Sequence, residues 1–130
     1  MADIFYNMKC TVWNKAVSGT WQEETWFPTV IDAVRILETK GTNIQKSGNQ
    51  QADAVRLHIS DLFSKPDKPY ATPEEWIPGE TYTLNDQTFF SKGDTSAITP
   101  DKDFFARSDV FHISSVDRFE IIPHFEIWGR

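Results

Sequence analysis

Residues 4–12 sustain a period of two over about nine residues. In "DIFYNMKCTVWNK", Ile4, Tyr6, Met8, Cys10 and Val12 share one parity, and Asn7, Lys9 and Thr11 fall on the other. Successive side chains leave a pleated strand on opposite faces, so a sustained period of two marks a β-strand with one face on a core. The rhythm returns in "AVRLHISD", where Val55, Leu57 and Ile59 oppose Arg56, His58 and Ser60.

The intervening segments read in the same terms. Ser18 and Gly19 supply a turn, and "TWQEETW" is the return strand of a first hairpin. In "TVIDAVRILETKG", Val30, Ile31, Val34 and Leu37 also form a helical stripe. Pro28 and the β-branched Val30, Ile31, Val34 and Ile36 favour strand, because branching at Cβ suits a pleated surface. The polar stretch "ETKGTNIQKSGNQQAD" has no usable period and reads as one long loop over about residues 38–53. Thr72-Pro73-Glu74-Glu75 has the order of a cap, a first-turn proline and acids near a positive helix end, which predicts a single helical turn. "TYTLNDQTFFSKGD" predicts two short strands around Asn85-Asp86, closed by Gly93, and "FHIS" with "HFEIW" predicts a last hairpin entered at Pro123. The expected fold is all-β: a small β-barrel or sandwich of about 6–8 short strands, one domain over residues 1–130.

At 130 residues and 39% hydrophobic, the chain suffices for one core and is too short for two. Cys10 is the only cysteine and sits at an inward position, so no internal disulfide forms. No apolar run approaches the ~20 residues that cross a bilayer, and "MADIFYNMKC" lacks the features of a secretory signal. Synthesis in a cytoplasm, with no membrane partner, is the expectation. The net charge of −6, without any run of lysine or arginine, disfavours nucleic acid as a primary ligand. It still permits DNA to pass along an acidic wall without being gripped.

Catalytic signatures are missing from the sequence. His58, His112 and His124 lack the close pairing of zinc ligands, and Glu74-Glu75 or Asp101 with Asp103 read more simply as solvated charge and helix capping. There is no nucleophile elbow, phosphate loop or dinucleotide fingerprint. The expectation is a non-enzyme without metal or cofactor. The tryptophans carry more information. Trp13 is opposite in parity to the Ile4–Val12 stripe, and Trp128 is opposite to Phe125 and Ile127. Such off-core indoles fit three roles: a second packed layer or edge cover, a subunit interface, or a sugar-stacking platform of a carbohydrate-binding module.

"YTLNDQTFFSKG" followed by "FHISSVDRFEIIPHFEIWGR", with "IFYN", "WFPTVIDAV" and "AVRLHI" upstream, resembles a family of small proteins of long-tailed bacteriophages and prophages encoded among head-assembly genes. The final turn departs from the pattern, with "DRFEIIP" in place of a more glycine-rich, basic stretch. The resemblance implies a virion neck protein, either a head-closure (stopper) or another head-to-tail joining ring component. A tail terminator or minor capsid protein is the neighbouring alternative. It implies a ring of copies, sixfold favoured and twelvefold possible, that meets portal or adaptor and tail proteins while double-stranded DNA passes through. No catalytic residues come with it. Trp13, Trp21, Trp26, Trp128 and Arg130 are then the candidate interface, the last strand being paired or docked, and Lys40, Asn43, Gln45, Lys46, Asn49 and Gln50 the loop facing a channel or adjacent ring.

Overall fold

The computed structural model describes residues 6–18, 23–38 and 55–130. Seven strands and one helical turn follow in order: β1 (Met8–Ser18), β2 (Glu23–Glu38), β3 (Val55–Ser60), β4 (Lys65–Pro66), β5 (Phe89–Lys92), α1 (Lys102–Phe105), β6 (Val110–Phe119) and β7 (His124–Gly129). The hydrogen-bonded order β1-β5-β6-β7-β3-β2 returns to β1, every neighbouring pair is antiparallel, and β4 lies alongside β2. This is a closed six-stranded barrel, the barrel form of the all-β expectation. Among the described residues the ring closes around β1 Cys10–Trp13, whereas Asn14–Ser18 and Glu23–Phe27 extend past it as a hairpin whose strands pair only with each other.

Two long strands turn the corners. β2 pairs with β1 as far as Val34 and with β3 from Arg35, and the register shifts at the changeover. Ala33 is the extra residue, held at a positive φ of 60°. Its amide donates to Asp32 Oδ1 at 3.0 Å, and its carbonyl accepts from Ser64 Oγ at 2.6 Å. β6 likewise passes from β5 to β7 with a shift between Ile113 and Ser115, where Ser114 Oγ donates to the Trp128 carbonyl. A bulge bends its strand and increases the local twist, which is what carries one strand around a barrel corner. Pro28 is tolerated inside β2 because its carbonyl points away from β1, towards Lys68 Nζ at 2.5 Å, so its missing N–H costs no ladder bond.

The inward parity fills the barrel. Cys10, Val12, Ile31, Val34, Leu57, Phe90, Ile113 and Ile127 are fully buried there, with Tyr82 and Leu84 from the segment before β5 closing one end. Burial pushes the Cys10 thiol far above its usual range. Gly129 lies so close to its neighbours that a Cβ would stand 2.9 Å from the His112 carbonyl oxygen.

A second, smaller cluster lies outside the barrel wall. Asp101 caps α1 by accepting from the Phe104 amide at 2.9 Å, and the turn lays Phe104 edge-on against Trp13 at 5.4 Å. Val110, Trp26, Phe89 and Phe105 complete this layer. The helical turn expected at Thr72–Glu75 is therefore misplaced. Residues 72–75 make only a tight turn, with the Glu75 amide donating to the Thr72 carbonyl at 2.9 Å. Of the two short strands expected around Asn85, one is present as β5, whereas Tyr82 makes a single bridge to Tyr70.

Candidate interaction surface

The barrel leaves apolar groups uncovered at the end of the β6–β7 hairpin. Register sets Arg118 opposite Phe125 and Phe119 opposite His124. Side chains of successive residues alternate, so the first pair faces the barrel end and the second faces outward. On the inner side the Arg118 guanidinium lies 4.6 Å over the Phe125 ring and clasps both Asp61 oxygens, at 2.8 and 2.7 Å. Its Nε reaches Glu120 Oε2 at 3.3 Å. On the outer side the Phe119 ring lies nearly flat on the His124 imidazole, 4.8 Å away at 7°. Between the two strands the turn projects Ile121, 97% exposed, and Ile122, 70% exposed.

A cleft of about 510 Å3 opens against the inner side of the same hairpin end. Ile59, Tyr70, Tyr82 and Phe125 make an apolar floor, and Asp61 and Glu120 stand at the rim with Arg118. Tyr70 packs on Phe125 at 4.8 Å and on Tyr82 at 5.6 Å, which fixes the aromatic floor in place. The cleft therefore offers an apolar recess beneath a rim with one excess negative charge.

Electrostatics sharpen the contrast between the two sides. The bidentate hydrogen bonds from Arg118 hold the Asp61 carboxyl below its ordinary range. His124 is pushed the other way, towards the protonated form, first by donating to the Ile122 carbonyl at 2.6 Å and then by Glu126, 3.1 Å from its Nε2. His58 packs beside His124 with ring centres 6.1 Å apart, and burial followed by Arg35, Arg56 and His124 presses its proton off against the pull of Glu126.

The residues expected to form an interface are scattered. Trp13 is corrected: it is 1% exposed, packed in the outer cluster of the chain itself, and donates its indole N–H to Thr95 Oγ1 at 3.1 Å. Its off-core parity serves the second packed layer. Trp26 is half-buried in the same layer, 4.5 Å from Phe105. Trp128 is half-buried on the opposite wall, with the Arg56 guanidinium 4.2 Å over its ring. Arg130 is exposed, and its backbone exchanges two hydrogen bonds with His112 beyond the end of β7. Trp21 and the loop positions Lys40, Asn43, Gln45, Lys46, Asn49 and Gln50 lie outside the described residues.

Other candidate groups also have structural partners. His112 stacks on Phe89 at 4.7 Å, away from the His58–His124 pair, and Asp101 is occupied in capping α1. Among the described residues, no three histidine, cysteine or carboxylate side chains converge as metal ligands. The hairpin tip was missed by parity, which says nothing about turns. Its signal is "EIIP", two adjacent isoleucines where turn chemistry calls for polar residues.

The fold sets the chain among small closed antiparallel β-barrels. It belongs to a family of unknown function, DUF6751, whose model matches residues 5–130. No curated protein and no solved structure matches it.

Proposed function

We propose that this protein is a neck component of a long-tailed phage or prophage virion, a head-closure or head-to-tail joining ring subunit that seals the filled capsid and offers the tail a docking surface. The observation that carries the reading is the uncovered apolar tip, Phe119, Ile121 and Ile122, at the end of a closed barrel. Contiguous apolar surface rimmed by polar groups is a protein-contact feature. Association through such a patch proceeds by side-chain contact and needs no added strand. The sequence resemblance supplies the setting. The net charge of −6 suits a conduit, because phosphates repelled by a wall pass along it. Partners in this reading are other copies in a ring, sixfold favoured, with portal or adaptor proteins above and tail proteins below.

The test is removal of the gene from a phage or inducible prophage that carries it, followed by electron microscopy of the lysate. Loss of the subunit should leave separate tails and heads that release their DNA. Normal tailed particles at an unchanged titre would reject the proposal.

A further inference from the structure

We infer that the apolar tip of one subunit, Ile121 and Ile122, seats in the Tyr70–Tyr82–Phe125 cleft of the next copy, as a head-to-tail contact.

Two observations point to a second copy as the occupant. The same chain carries a nearly naked apolar knob and an open apolar recess of about 510 Å3. They cannot satisfy each other within one molecule, since Arg118 and Glu120 border both, and the tip is pinned where it stands by the Asp61 amide donating to the Pro123 carbonyl at 3.0 Å. Arg118 with Phe125 faces the barrel end, so the recess lies on the inner side of the hairpin, and the knob lies beyond the last paired residues, Phe119 and His124. Unlike patches make a heterologous contact, which closes into a ring when its rotation permits.

The contact buries on the order of a few hundred Å2 per side, well below the ~800 Å2 of a standard interface. It is accordingly weak between free subunits and forms where copies are concentrated or arranged on a template. This deepens the neck reading by naming the ring contact, while resting on that reading only for the expectation that copies meet.

Oxidative crosslinking of the full chain at high concentration tests it. Ile121→Cys protein mixed with Thr72→Cys protein places one thiol on the knob and one at the cleft. Native Cys10 is buried and unreactive. The mixed disulfide should form roughly tenfold or more faster than in a control mixture of Val17→Cys with Thr72→Cys, because a seated knob raises the effective thiol concentration. The double variant Ile121→Cys/Thr72→Cys should give a ladder beyond dimer, and adding Ile122→Asp should abolish it. Crosslinking no faster than the control, predominant 121–121 pairing, or a product that stops at dimer would overturn the inference. A ladder from a chain whose gene proves dispensable for phage leaves the contact standing and removes the neck reading. An essential gene whose protein gives no ladder does the reverse.

Discussion

Arg118 holds Asp61 with two parallel hydrogen bonds, at 2.8 and 2.7 Å, across 57 residues of sequence. The pair ties the end of β6 to the residue that follows β3 and so shapes the rim of the cleft. Both side chains are about a third exposed or more, so solvent screening limits the contribution to under about 1 kcal/mol. Arg118→Met should lower stability in urea unfolding by that amount at pH 7. The carboxyl is depressed in the fold, so its stabilisation is present above the unfolded value of 3.8 and is lost as pH falls through the folded value. The difference between wild type and variant should shrink towards pH 2.

His124 has the opposite sign. Its folded pKa is raised above 6.5, so the stability it adds is complete below pH 6.5 and is lost as pH rises through the folded value. Asp61, Arg118 and Glu126 face it, along with His58, whose own lowered pKa opposes uptake of a second proton. Thermal unfolding of wild type against His124→Gln should show a larger Tm gap at pH 5.5 than at pH 8.5. A gap independent of pH would contradict the assignment.

The outer layer is structural rather than an exposed platform. Phe104 is 2% exposed, and Phe104→Ala empties the space against Trp13, which should cost about 3–5 kcal/mol in urea unfolding. Ile121→Ala, at a 97% exposed position, should stay within about 0.5 kcal/mol of wild type. Equal effects would mean that the two sites have been assigned the wrong way round.

Gly129→Ala should be poorly tolerated even though its backbone needs no left-handed conformation. The new methyl would meet the His112 carbonyl at 2.9 Å and the Phe90 ring at 3.2 Å, both in the packed wall. Overpacking of this kind costs about 1–3 kcal/mol. Calorimetry showing an unchanged Tm would contradict the close approach.

Strand identity was legible wherever one face is buried. Cys10 with Val12, and Val55, Leu57 with Ile59, all point inward as their parity requires. Parity also set Trp13 off the barrel core, but it tells which face a side chain takes and not what covers that face; α1 covers it. The helical turn was misplaced because Thr72–Glu75 has cap chemistry with little to bury, whereas Asp101 both caps its turn and delivers Phe104 to Trp13. Closure was hidden for a different reason. The corners at Ala33 and Ser114 use ordinary residues held by long-range bonds to Ser64 and Trp128, and neither carries the glycine that would advertise a bulge.

Quantitative mass spectrometry of purified virions, with the portal protein as internal standard, tests the central claim most directly. A neck ring predicts the chain in the particle at a small fixed copy number, six or twelve for each portal ring. Its absence from infectious virions, or a copy number in the hundreds that tracks the major capsid protein, would contradict the account.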